Sequence, residues 1–122
     1  MKHILLLVTI ISISGCSLIP SKFDLNEAKA ITDIQLTART FDCKKPVEQV
    51  EVLSNEIVWL QTYSKFRGSR DVVAVVEGIA ITTQELKDRL EKGSISPMYC
   101  DLKKKILIQQ ADITAKAVQG RF

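Results

Sequence analysis

Histidine and tryptophan each occur once in 122 residues, and cysteine and proline three times each. One histidine and three cysteines leave no ligand to spare for a four-ligand zinc site. Aromatic residues make up only 6% of the chain. Charge of one sign is also scarce: 17 Lys and Arg against 14 Asp and Glu leave +3, which does not by itself imply nucleic-acid binding. Gly68, Gly78 and Gly93 are too scattered to form a phosphate-cradling loop. Ser54, Ser64 and Ser69 lack the context of a nucleophile elbow. The carboxylates Asp24, Glu27, Asp33, Glu48, Glu51 and Glu56 fall where helix surfaces are solvated, with no spacing that demands acid–base work. What is present is a 46% hydrophobic content, too apolar for a disordered chain and enough for one small domain.

The longest apolar run, Ile4 to Ile13, is ten residues. As a helix it would be about 15 Å long, half of a bilayer core. With Lys2 before it and Ser14-Gly15 after it, the run reads as a signal peptide rather than a spanning helix. Ile13-Ser14-Gly15-Cys16 resembles the bacterial lipobox: an aliphatic residue, two small residues and a Cys. That resemblance implies cleavage before Cys16, diacylation of its thiol and acylation of the new amine. Two or more acyl chains give stable anchoring without a spanning helix. Ser17, where Asp would favour inner-membrane retention, implies an outer-membrane lipoprotein facing the periplasm. Removing residues 1–15 takes away Lys2 and His3 and leaves 107 residues with no histidine. A histidine-free chain disfavours His-based triads and most catalytic zinc sites, so the expectation is a protein that is not an enzyme and has no cofactor.

Residues 16–23 read as a lipidated tether and residues 24–122 as one domain. Asp24 and Glu27 form a capping-box start. Leu25, Ala28, Ile31, Ile34, Ala38 and Phe41 then recur on one helix face, to an end near Thr40. Pro46 opens a second helix, with Val47, Val50, Leu53, Ile57 and Leu60 as its stripe and Gly68 as its stop. Trp59, Tyr63 and Phe66 widen that stripe; they suit a ligand surface or, as is commoner in a domain with so few aromatics, the core, which is the expectation. Residues 72–81 are β-branched and nearly continuous, consistent with a short hairpin or a buried helix, and composition leans towards strand. This segment also resembles the hairpin-then-helix opening of parvulin-type periplasmic chaperones, with Glu77 in place of Asn and no isomerase domain after it. Thr82-Thr83-Gln84-Glu85 reads as a capping box for a helix closed by Gly93. Ser96-Pro97 opens a last helix whose face is Leu102, Ile106, Ile113 and Ala117, with Leu107, Ala111 and Val118 beside it. The expected fold is mainly α, about four helices, with the hairpin left open.

With Cys16 acylated, Cys43 and Cys100 remain as an even pair in an exported protein, which reads most simply as an intramolecular disulfide. A bond to another chain and two buried thiols are the alternatives. Lys44-Lys45 and Lys103-Lys104-Lys105 are two basic runs. They suit contact with anionic head groups or peptidoglycan, and equally a solvated helix face.

A short helical lipoprotein with periplasmic cysteines resembles the outer-membrane subunit of bacteriophage spanins. The resemblance implies pairing across the periplasm with an inner-membrane helical subunit, and outer-membrane disruption at lysis. The Pro-rich mature segment common in that family is absent. The other expected roles are a small envelope binding module (an assembly factor, or a block on a receptor or lysozyme) or a peptidoglycan-binding structural lipoprotein. All of them place a protein or wall partner in the envelope and none involves nucleic acid.

Overall fold

The computed structural model describes residues 21–120. The expected signal peptide, 1–15, the expected lipidation at Cys16 and the first part of the expected tether, 16–20, lie outside the described residues. Four helices follow in order: α1 (Leu25–Arg39), α2 (Pro46–Arg67), α3 (Arg70–Glu91) and α4 (Pro97–Gln119). Short connections make sequential neighbours antiparallel. Each helix packs on the next, and α4 returns to pack on α1, so the four close into a bundle.

Local chemistry sets the boundaries. The Asp24 carboxylate accepts the Glu27 backbone N–H at 2.9 Å and starts α1. Pro46 and Pro97 occupy first-turn positions where a missing N–H is harmless. The Ser96 hydroxyl accepts the Tyr99 N–H at 3.1 Å and caps α4. Gly68 sits at φ 75°, a left-handed conformation that closes α2 and admits the tight turn into α3.

The core is aliphatic, built from Ile31 and Ile34 of α1, Leu53, Ile57 and Leu60 of α2, Val72, Val76, Ile79 and Leu86 of α3, and Leu107, Ala111 and Val118 of α4. Phe41 in the α1–α2 connection is its one buried aromatic ring. Polar seams flank it. Asp112 accepts the Gln35 amide at 2.9 Å and the Arg39 guanidinium at 2.6 Å. These bonds hold its carboxyl below the ordinary value, the Gln35 bond contributing most. Thr37 donates to Glu56 at 2.9 Å between α1 and α2. The Thr114 hydroxyl donates to the Val75 carbonyl at 3.1 Å between α4 and α3.

Three sequence expectations are corrected. Of the two forms left open for residues 72–81 the helix is the one taken, against the lean towards strand: they are the first half of a continuous 22-residue helix, α3. Val72, Val76, Ile79, Thr83 and Leu86 recur at steps of four and three, and all are buried. The β-branched run is therefore a helix face packed on two neighbours, and tertiary burial overrides its strand propensity. The parvulin-like reading of this segment falls with the hairpin. Thr82 and Thr83 are interior residues turned into the core, not a cap. The second correction concerns register. Leu102 and Ile113 face solvent, and α4 instead buries Cys100, Leu107, Ala111, Thr114, Ala115 and Val118. Leu25 and Val47, at the first turns of their helices, are likewise exposed. The third is that Trp59 and Phe66 lie outside the core, at 51% and 90% exposure.

Candidate functional site

The antiparallel arrangement gives the bundle two chemically different ends. One end gathers the starts of α1 and α3 with the ends of α2 and α4. Here the described chain begins, and it is fastened. Ser21 donates its backbone N–H to one Asp71 carboxylate oxygen at 3.1 Å and its hydroxyl to the other at 2.7 Å. Asp71 lies in the first turn of α3, where a carboxylate also suits the helix dipole. The Arg67 guanidinium reaches Asp24 at 2.9 Å and the fully buried Glu27 at 3.6 Å, tying the start of α1 to the last turn of α2. Asn26 donates to the Tyr63 hydroxyl at 2.9 Å in the same seam. Tyr63 stacks on Trp59 with ring centroids 5.0 Å apart. Trp59 and Phe66, expected inside, thus lie on an outward stripe along α2 that ends at this pole, with Tyr63 half-buried beside it.

The other end gathers the α1–α2 connection, the end of α3 and the first turn of α4. Cys43 and Cys100 are joined here, with Cα atoms 5.9 Å apart and a sequence separation of 57. Of the alternatives left open by the sequence, the intramolecular bond is the one formed. It links the connection after α1 to the first turn of α4, with Cys100 buried and Cys43 packed against the core.

The five lysines of the two basic runs do not act alike. Lys44, Lys45 and Lys105 are exposed. Lys104 donates to the Phe41 carbonyl at 2.8 Å and so caps the chain just before Cys43. Lys103 pairs with Glu85 of α3 and lies 5.6 Å from the centre of the Tyr99 ring. Arg89 covers the same ring at 4.7 Å. Glu85, Asp88, Arg89, Lys92, Tyr99 and Lys103 line an open groove between the end of α3 and the start of α4. Two of the five lysines are therefore spent on holding the bundle together. Acidic neighbours Asp42, Glu48 and Asp101 interleave with the exposed ones. No large single-sign field results.

No protein family, curated protein or solved structure matches this chain. Among the described residues, no group of three or more His, Cys, Asp or Glu side chains is placed to hold a metal ion. Among the same residues, no helix is long and apolar enough to cross a membrane. Sequence reasoning found the disulfide; it did not foresee the diversion of Lys103 and Lys104 or the clamp of Ser21 on Asp71. It weighed Trp59, Tyr63 and Phe66 as an outward surface but ranked the core above it, and Trp59 and Phe66 are exposed. A signal for the stripe was available: Val52, Trp59 and Phe66 recur every seven residues, on the side of α2 opposite Val50, Leu53, Ile57 and Leu60.

Proposed function

We propose that this chain is a lipid-anchored protein of the bacterial envelope that works by docking a protein partner, without catalysis. One observation carries the reading. The point at which the tether meets the bundle and the disulfide-locked end lie at opposite poles. A lipobox-like Cys16 five residues before Ser21 would hold one pole at an outer-membrane surface. The bundle then stands as a spacer. Its 22-residue helices are about 33 Å long, so the disulfide pole would be presented that far into the periplasm. There Lys44, Lys45, Lys105 and the groove over Tyr99 offer mixed charge to a partner. The disulfide gives this pole a fixed shape before binding, which lowers the ordering cost of association.

The test has two parts. Cys16→Ala is expected to abolish acyl labelling and to release the protein from the membrane fraction; unchanged fractionation refutes the anchor. A photocrosslinker placed at Lys45 or Lys105 is expected to trap one discrete envelope protein, and the same group at Lys29 on the bundle flank is expected to trap none. Equal yields at both places refute the pole as the docking end.

A second reading, the outer subunit of a spanin, keeps the same geometry and assigns the partner to a helical inner-membrane subunit. The anchor at one pole and the free pole aimed across the periplasm favour it. It requires a neighbouring or overlapping gene for a short protein with an N-terminal membrane helix. Deletion of this chain should then leave intact spherical cells after wall degradation, and normal lysis excludes the reading.

A further inference from the structure

Phe66 is 90% exposed on the last turn of α2. Leu25 is 73% exposed at the first position of α1, and Phe23 stands half-exposed just before it. The clamp of Arg67 on Asp24 holds these residues at one pole. Lys22, Lys65 and Arg70 are exposed around them. The acids of the same pole are turned to other work: Asp71 receives Ser21, Asp24 receives Arg67, and Glu27 is buried. The surface left outward is therefore aromatic, aliphatic and cationic.

We propose that this pole is a lipid-docking surface: Phe23, Leu25 and Phe66 enter the headgroup region of the bilayer, and Lys22, Lys65 and Arg70 meet anionic lipid phosphates. The inference rests on the lipid-anchor reading and deepens it, since that reading requires only a tether and says nothing of how the domain lies. The occupant follows from the chain itself. Ser21 is five residue steps from Cys16, and even fully extended these span no more than about 17 Å. Ser21 is fixed by two hydrogen bonds to the first turn of α3, so no slack is gained beyond it. Whatever membrane holds Cys16 is thus within reach of Phe23 and Phe66. The chemistry of the pole is that of an interfacial surface, with amphipathic anchors at headgroup level and cations drawn to anionic lipid. A bundle docked in this way stands on the membrane rather than swinging from it, with the disulfide pole held outward.

The experiment uses the full acylated chain, purified from a bacterial membrane and reconstituted into phosphatidylethanolamine–phosphatidylglycerol vesicles containing a brominated phosphatidylcholine. Trp59 is the only tryptophan, so single reporters can be moved: Trp59→Phe with Phe66→Trp for the tether pole, and Trp59→Phe with Met98→Trp for the far pole. Both host positions are open, Met98 being 82% exposed, so neither change disturbs the core. The expected result is emission quenched several-fold more strongly, and shifted to the blue, for the reporter at 66. Equal or absent quenching at the two positions, with intact acyl chains by mass spectrometry, overturns lipid docking and leaves the anchor standing. A blue shift at 66 without quenching, together with a crosslinked dimer, overturns it in favour of a second copy of the chain. A purified protein without acyl chains overturns the anchor itself and this inference with it.

Discussion

Reducing the Cys43–Cys100 bond removes a covalent link without removing an atom from the core, so it isolates the effect of the link. The bond closes a loop of 57 residues. The chain-entropy relation gives about 14 cal/mol/K for a loop of that length, or about 4 kcal/mol at room temperature. A domain of this size has a total stability of about 5–15 kcal/mol, so the link carries a large share of it. Each kcal/mol moves the melting temperature of such a domain by about 4–8 °C, so reduction should lower it by at least about 15 °C. The assay is urea unfolding followed by far-UV circular dichroism, with and without dithiothreitol. Two changes are expected together. The midpoint falls, and the slope against denaturant steepens, because the reduced unfolded chain expands and exposes more surface. A loss under about 1 kcal/mol with an unchanged slope would refute the reasoning, since it would mean that the helices already confine the chain that the bond was supposed to confine. Cys100→Ala should cost more than reduction, because Cys100 is buried and its sulfur also fills space in the core.

Further outcomes test other parts of the fold. Gly78→Ala should stabilise by about 0.5–1 kcal/mol in thermal unfolding: Gly78 is inside α3, and an added Cβ meets only the flexible Gln110 amide at 3.5 Å. Gly68→Ala should destabilise by about 1 kcal/mol, because φ 75° disfavours any Cβ although the space is open. Leu53→Ala or Leu86→Ala should cost about 2–5 kcal/mol by leaving a void in a fully buried layer. Burial pushes the Glu56 carboxyl above its ordinary value; the hydrogen bond from Thr37 opposes that shift, and the nearby charge of Asp33 adds to it. The folded chain then holds a proton that the unfolded chain releases, so this group's contribution weakens stability as pH rises from the ordinary glutamate range through the raised value. Glu56→Gln, which keeps an acceptor for Thr37, should remove that slope in a pH series of melts and leave stability at neutral pH equal or higher.

The sequence carried α1 and α2 and both ends of α4 because their signals are local: Asp24 as a cap, Pro46 and Pro97 at first turns, Gly68 as a stop. It left 72–81 ambiguous because Val72, Val73, Val75 and Val76 favour strand, while the decision lay in burial against α2 and α4, which no local pattern encodes. The α4 face was read a fraction of a turn out of place because Leu102 and Ile113 were taken as core on hydrophobicity alone. Small residues, Cys100, Ala111, Thr114 and Ala115, hold the seam instead, and they let neighbouring backbones approach closely. The aromatic residues were placed inside on a general rule that fails here. The core has an aliphatic partner at every layer, and Trp59 and Phe66 sit on the far side of α2 from Leu53 and Leu60. At the disulfide pole, the pairing was legible from the cysteine count and the expectation of export. The diversion of Lys103 to Glu85 and of Lys104 to Phe41 was not, because it depends on how α3 and the α1–α2 connection meet α4.

The cystine also decides how the molecule bears load. Suppose the chain is pulled at Ser21 while α4 is held just beyond Cys100. Tension enters α1, reaches Cys43 and crosses directly to Cys100. Residues 44–99 form a closed ring beside that path, so α2 and α3 carry no force along their backbones. The extension available is set by α1 alone: unravelling its 15 residues from about 1.5 to about 3.4 Å each lengthens the chain by roughly 28 Å and no more. Reduction would put the whole ring in series and lengthen the fuse several-fold. The fold thus has a short mechanical stop built in, and thiol chemistry alone determines whether it is engaged.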